Sequence, residues 1–255
     1  MCNVAIGSSQ GGSKVSVGKL NTRLVEKKHL ANGFWWFELE FKEVFDFEAG
    51  QYLSVKMNEK GEMRAYSIAT VPGSKKIGLL VDVSPGGLGS KFFLMAEVGD
   101  EIEVLGPLGR FVADPSCFEA LEGLVFVATG SGIAPVKSIL EDLLKNKKYK
   151  GRVRLVWGLR FENDIFWQKD FEKMEEKYKN FKLNLVLSKP SKNWEGRKGR
   201  VTDLLEKMEK LGSRHIYLCG GNEMVDGCRK SLSEKGVKDI NKIDKFLNTV
   251  HNISS

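Results

Sequence analysis

Near residue 123 the hydrophobic pattern of the chain changes period, and that change constrains the fold more than any other feature. Before it, β-branched and aromatic runs recur with frequent alternation at residues 20–25, 35–41, 52–57, 65–70, 77–83 and 101–105. Turn signals separate them: Ala49-Gly50, residues 58–61 and Pro72-Gly73. Six short strands at near-regular spacing predict a small antiparallel six-stranded β-barrel. Residues 90–95 are expected to form a turn or two of helix within it. Beyond residue 123, residues 124–128 are continuously apolar, as in a strand buried on both faces. A helical pattern follows through Val136, Ile139, Leu140, Leu143 and Leu144. Strands at 153–157, 183–187 and 216–219 then alternate with helices at 166–178, 201–211 and 224–235. That alternation predicts a parallel sheet with helices on its faces, an α/β unit.

A chain of 255 residues accommodates two such units, and its 42% apolar content supplies cores for both. The expected division is a loose tail at residues 1–14, a barrel domain at 15–116 and an α/β domain at 117–255, with the boundary between Phe111 and Gly123. No run approaches the roughly 18 apolar residues of a membrane helix. The N-terminus lacks the basic and apolar regions of a secretory signal. Cys2, Cys117, Cys219 and Cys228 form no Cys-x-x-Cys pair, and His29, His215 and His251 do not cluster, so no metal site is expected. The cysteine usage fits a reducing cytoplasm.

The net charge of +7 is unevenly distributed. Residues 17–110 carry 12 basic and 13 acidic groups, whereas residues 124–255 carry 27 basic and 17 acidic. A basic second half suits nucleic acid, an acidic protein or a phosphorylated cofactor, and equally suits a solvated lysine-rich surface. Aromatic residues are not interleaved with arginines, so no nucleic-acid partner is expected.

Chemistry concentrates in a few short motifs. Gly130-Ser131-Gly132-Ile133-Ala134-Pro135 follows the buried strand and opens a helix, where glycines admit a pyrophosphate to free backbone N–H groups. Pro135 replaces the third glycine of the full dinucleotide fingerprint, so an ordinary tight turn is the plain alternative. Cys219-Gly220-Gly221-Asn222-Glu223-Met224 repeats that logic after the last strand. Both turns should open on one crevice beyond the carboxyl ends of the strands. Cys219 alone reads equally as a small buried hydrophobe. On the barrel, alternation puts Arg64 and Tyr66 on one face of a strand, and Ala65 and Ser67 on the other. Arginine can grip a phosphate, tyrosine can pack on a flat ring and serine can bond a heterocycle. A chance arginine on an exposed face would look the same.

In series, these motifs resemble those of the ferredoxin–NADP(+) reductase superfamily, which includes cytochrome b5 reductases and the flavin modules of oxygenase reductases. Arg64-Ala65-Tyr66-Ser67 is similar to its flavin signature, and Pro85-Gly86-Gly87-Leu88-Gly89-Ser90 to its second flavin segment. Gly106-Pro107-Leu108-Gly109 resembles its barrel-closing turn. Thr129-Gly130-Ser131-Gly132-Ile133-Ala134-Pro135 and Cys219-Gly220-Gly221-x-x-Met224 resemble its nicotinamide-nucleotide motifs. The five motifs occur in family order and cover roughly residues 17–246.

The resemblance implies hydride transfer from NAD(P)H to FAD and onward transfer to a separate acceptor. Arg64 would meet flavin phosphate, which favours FAD over FMN. Tyr66 would pack on the flavin, Ser67 would lie at the ring edge where hydride arrives, and Val81-Asp82-Val83 would run along the ring. Gly87, Leu88, Gly89 and Ser90 would meet the flavin pyrophosphate. Thr129, Gly130, Gly132, Ile133, Pro135, Gly220, Gly221 and Met224 would hold the nicotinamide nucleotide, with Cys219 positioning its reactive carbon. Ser188 and Lys189, followed by Arg197, Lys198 and Arg200 with no acidic residue at 188–190, lead us to expect NADPH, with NADH also usable. The implied acceptor is ferredoxin, flavodoxin or an oxidoreductase subunit; a reductase component of an oxygenase or hydrogenase is the alternative. The chain lacks the cysteine spacing of relatives with an attached iron–sulfur domain and does not end in the stacking tyrosine of plant-type members. Phe246 would cover the flavin only if the tail folds back.

Overall fold

The computed structural model describes residues 17–114 and 123–237, and the backbone of a strand at 242–245. The expected tail at 1–14, Cys117, the 116/117 boundary and Phe246 lie outside the described residues.

The first half builds six strands: β1 (Gly18–Ala31), β2 (Phe34–Phe45), β3 (Tyr52–Lys56), β4 (Met63–Ser67), β5 (Ser74–Asp82) and β6 (Glu101–Leu108). They run antiparallel in the order β4-β3-β6-β1-β2-β5. The two edges meet through an Ile68–Leu79 bridge and a bond from Ala69 N to Gly78 O (2.8 Å), which closes the barrel. Alternation drives this fold. On β2, Phe37, Leu39 and Phe41 point inward, while Glu38 points out to Lys76 on β5 (3.2 Å). Helix α1 (Leu88–Met95) plugs the barrel, with the fully buried Phe93 ring 4.6 Å from Phe37.

The second half builds β7 (Leu124–Thr129), α2 (Ile133–Glu141), β8 (Val153–Leu159), α3 (Gln168–Lys177), β9 (Phe181–Leu187), β10 (Arg197–Lys198), α4 (Val201–Glu206), β11 (His215–Gly220), α5 (Asn222–Glu234) and β12 (Lys242–Lys245). All strand pairs are parallel, in the order β10-β9-β8-β7-β11-β12. The chain moves outward from β7 to β9 and then returns to the other side of β7, so the order reverses between β7 and β11. Ligands of open α/β sheets bind at such a switch point.

Period two also explains how the halves join. Val125 and Val127 face α4 and α5, whereas Phe126 and Ala128 face α2 and α3. On that second face the buried cluster continues into Phe34, Ala49, Ala69, Leu80 and Phe111 of the barrel. The seam is reinforced along β2: Asn32 N donates to Asn163 O (3.0 Å) and Asn32 Nδ2 to Asp164 Oδ1 (3.1 Å). Phe34 packs on Phe166 (4.8 Å between centroids) and Trp36 edge-on to Trp167 (5.8 Å). Asp164, 7% exposed, also accepts Phe161 N at 3.0 Å. Asp164→Ala strands both donors and should lower unfolding stability by about 1–3 kcal/mol; denaturant titration measures this, and an unchanged midpoint would contradict it.

Several elements depart from expectation: β1 runs on to Ala31, β4 spans Met63–Ser67 rather than 65–70, and the short β10 carries no strand signal in sequence. α4 ends at Glu206 rather than at residue 211, because Lys210 adopts a left-handed conformation (φ 55°) and Leu211–Ser213 form a separate 3-10 turn. α3 starts at Gln168 because Trp167 is also left-handed (φ 52°), its ring held in the seam. β12 was not expected, since its Lys-Ile-Asp-Lys sequence carries no apolar run; it is recruited as a parallel edge beside β11. No helix among the described residues is long and apolar enough to cross a membrane.

Candidate functional site

The first part of the site lies where β4 meets the start of α1. Residues 84–90 approach that helix through Pro85 and glycines, and the N-cap, Gly87, makes no side-chain cap bond. There is no acidic side chain in the first turn. The first backbone bond is Lys91 N to Gly87 O (3.0 Å), so the preceding N–H groups of Leu88, Gly89 and Ser90 point out of the helix end. Gly89 is required by packing: a Cβ there would overlap the Tyr66 hydroxyl. Tyr66 also sets its ring edge-on to Phe93 (4.8 Å). Burial pushes the Tyr66 phenol up to about 12, partly offset by the nearby Arg64 guanidinium. Arg64 itself bonds Met63 O (2.8 Å) and lies 3.8 Å from Glu62, which leaves most of its fork free for an anion. Arg64, Tyr66 and the α1 N-terminus therefore form one cationic corner.

The phenol carries a pH consequence. Its folded pKa lies above the ordinary value of 10.0, so the folded protein holds a proton that the unfolded chain releases. Stability should accordingly fall as pH rises from about 10 towards about 12. Phenolate absorbance should lose a late-titrating component in Tyr66→Phe; a variant with the same late titration as the parent would contradict this assignment.

Beside this corner the barrel is open. β4 and β5 meet at the Ile68–Leu79 bridge, and extending that register would pair Ser67 with Leu80 and Tyr66 with Val81. The ladder does not continue there. One lip of the gap carries Arg64, Ala65, Tyr66 and Ser67; the other carries Val81, Asp82 and Val83. Val81 buries its side chain in the barrel (1% exposed), so only its backbone faces the gap. Asp82 Oδ1 accepts Ser84 N (2.9 Å) and Val83 N donates to Gly33 O (2.8 Å), which fixes the strand's exit towards α1.

The second part lies at the switch point. Gly130 is left-handed (φ 53°), and its carbonyl accepts Trp157 Nε1 (3.3 Å). A Cβ on Gly132 would overlap Cys219 O and stand 2.8 Å from Cys219 C. A Cβ on Gly220 would overlap Thr129 Oγ1 and stand 2.5 Å from Met224 Cε. The two glycine turns thus lock together, with Ile133 and Pro135 buried in the first turns of α2 and Gly221 capping α5. Cys219 is 0% exposed on the barrel-facing side of the sheet. Cys228, behind it, is a buried thiol pushed up to about 12 by desolvation, 3.6 Å from Met224 Sδ. That thiol is unreactive.

The two parts are joined. Past Ser67, the segment that leaves β4 bonds α2 directly: Ser138 Oγ donates to Thr70 O (2.5 Å) and Lys137 Nζ to Ala69 O (3.3 Å). Phe34 of β2 lies 3.9 Å from where a Gly130 Cβ would stand. Ser188 and Lys189 are exposed at the end of β9, apart from the cationic corner. Phe34, Trp157, Lys137 and Ser138 border the candidate site and are missed by motif reading, because each looks like core or helix surface in sequence.

These features fit a bound dinucleotide flavin and a nicotinamide nucleotide. An uncapped helix end beside a free guanidinium suits a pyrophosphate, the β4–β5 gap suits a flat ring, and the interlocked glycines admit a second pyrophosphate close to backbone.

Comparison with known proteins agrees. An oxidoreductase FAD-binding domain model matches residues 21–112, and an oxidoreductase NAD-binding domain model matches residues 126–230. The chain is 32% identical over 212 residues to ferredoxin–NADP reductase B of Sorangium cellulosum, covering 79% of this chain and 85% of that one. It is 30% identical over 220 residues to one component of the Na(+)-translocating NADH-quinone reductase of Neisseria gonorrhoeae, covering 79% of this chain but only 53%, about half, of that component. Among solved structures, the Amycolatopsis cytochrome P450 reductase GcoB superimposes with a TM-score of 0.84 at 26% identity, covering 92% of this chain and 72% of that one. The chain belongs to the ferredoxin–NADP(+) reductase superfamily, as an FAD-dependent NAD(P)H oxidoreductase.

Proposed function

We propose that this chain takes reducing equivalents from NAD(P)H through FAD and delivers them to a separate redox protein such as ferredoxin or flavodoxin. The observation that carries this reading is the Ser138–Thr70 bond, which fastens the flavin-signature strand to the helix opening at the Gly130 turn (2.5 Å). Two anion sites, each of a kind that holds a pyrophosphate, are thereby held together across one seam.

Arg64 and the N–H groups at Gly87, Leu88, Gly89 and Ser90 hold the flavin pyrophosphate, which favours FAD over FMN. Tyr66, Ala65 and the Val81-Asp82-Val83 edge align the ring, with Ser67 at its reactive edge. Thr129, Gly130, Gly132, Ile133, Pro135, Gly220, Gly221 and Met224 hold the nicotinamide nucleotide. Ser188 and Lys189 take its adenosine end, where the basic loop favours NADPH while admitting NADH. Cys219, buried and hemmed in by Gly132, excludes water and positions the nicotinamide rather than attacking it. Bound there, FAD would supply a hydride acceptor for the nicotinamide and a donor of single electrons or pairs. The protein's part is alignment and charge, so no acid–base pair is needed. The domains divide as 15–116 and 117–255.

The electron's destination rests on charge. The α/β half is the basic one, which suits an acidic carrier docked weakly for fast turnover. Ferredoxin reduction should slow as salt rises, while ferricyanide reduction changes little. Ferredoxin rates indifferent to ionic strength would overturn charge-guided docking. The similarity to a quinone-reductase component favours a second reading, a reductase component of a larger redox assembly such as an oxygenase or hydrogenase. Co-purification with a partner would favour that reading.

A further inference from the structure

A nucleotide at the Gly130 turn places its pyrophosphate at the end of β7. Cys219 and the barrel flank the β11 side, so the adenosine half extends over the ends of β8 and β9. Two loops meet there. Ser188 N donates to Leu159 O (3.0 Å) and Lys189 N to Arg160 O (2.9 Å), clamping the loop after β9 to the loop after β8. At the junction, Glu162 Oε1 accepts Ser191 N at 2.8 Å. Bonds from the Ser191 hydroxyl and from backbone N–H groups, with Lys198 nearby, hold the Glu162 carboxyl below the usual carboxylate range. Lys189, Arg197 and Arg200 are exposed along the segment that follows β9.

A backbone N–H, a hydroxyl and an ammonium are the donors that the 2′-phosphate of NADPH would need. Here a carboxylate from the same chain already takes the Ser191 donor, with Lys198 near enough to act on its charge. We propose that Glu162 is an internal stand-in for the 2′-phosphate, which must displace it from Ser191, so that the chain discriminates weakly between NADPH and NADH despite its basic loop. With NADH the same carboxylate is free to accept the ribose 2′-hydroxyl. The inference rests on reading the Gly130 turn as the dinucleotide site. It was not visible in residues 188–190, because Glu162 arrives from the neighbouring strand.

The test uses the flavin-loaded protein and its Glu162→Gln variant, with two readouts. Calorimetry measures affinity for adenosine 2′,5′-bisphosphate against adenosine 5′-monophosphate, and steady-state assays give the NADPH-to-NADH ratio of kcat/KM. Removing one charge from contact with a phosphate dianion should tighten the bisphosphate on the order of tenfold relative to the monophosphate. The kcat/KM ratio should rise by a similar factor. Lys198→Gln should weaken the bisphosphate severalfold. Thermal midpoints matching the parent establish that both surface variants are folded. An unchanged or weakened preference for the bisphosphate in Glu162→Gln overturns the inference while leaving the reductase reading intact, provided the parent oxidises either dinucleotide. A parent that binds neither adenosine ligand and oxidises neither dinucleotide overturns both.

Discussion

Arg64→Ala is expected to lose flavin. Among the described residues the guanidinium bonds its neighbour's carbonyl and lies 3.8 Å from Glu62, so removing it costs the fold little. What it removes is the charged half of the corner formed with the α1 N-terminus. A bidentate arginine–phosphate contact contributes about 2–3 kcal/mol, so the Kd for FAD should rise on the order of 100-fold. Recovery of free-flavin fluorescence on dilution measures that constant directly. Arg64→Lys should fall between the two, since an ammonium keeps the charge and loses the fork. Undiminished flavin affinity in the alanine variant would remove Arg64 from the site. Circular dichroism separates such an outcome from misfolding.

Gly132→Ala should have an equally large effect on the other half of the reaction. The new methyl group has nowhere to go: it would overlap Cys219 O and press within 2.8 Å of Cys219 C and 3.1 Å of Gly220 N. All three are backbone atoms of a central strand and its exit, so neither turn can yield without moving the other. Overpacking of this kind costs about 1–3 kcal/mol of stability. The larger consequence is misalignment of the nicotinamide nucleotide, which should lower kcat/KM for NADPH and NADH together by on the order of 100-fold. Flavin binding is built on the barrel and should survive. A variant that oxidises either nucleotide at the parent's efficiency would show that the two turns do not need to interlock.

These two sites differ in how plainly the sequence displays them. The glycine turn at Gly130 is legible because one local rule, strand followed by glycines followed by helix, already suggests a pyrophosphate turn, although an ordinary tight turn follows the same rule. Even so, its tight packing on Cys219 joins residues far apart in the chain and emerges only once β7 and β11 are neighbours. Arg64 and Tyr66 are weaker signals, for an alternating strand with one arginine is common. They gain meaning from Gly89, which must lack a side chain for the Tyr66 hydroxyl to fit. The barrel and parallel sheet follow from periods that any local window contains. The missed features are tertiary. β12 has no apolar run of its own and exists because β11 offers an edge. Trp167 delays the start of a helix because its ring belongs to the interdomain seam. Glu162 lies one strand away from the loop it binds, so inspection of that loop alone finds only cations.

On this reading the two sites bring a flavin and a nicotinamide nucleotide into contact on one chain. Anaerobic titration of the FAD-reconstituted protein, followed by visible absorbance, tests it most directly. Stoichiometric NADPH or NADH should bleach the flavin bands, and an added one-electron acceptor should restore them. Protein that retains no flavin after reconstitution, or whose flavin stays oxidised under excess of both nucleotides, would contradict the account.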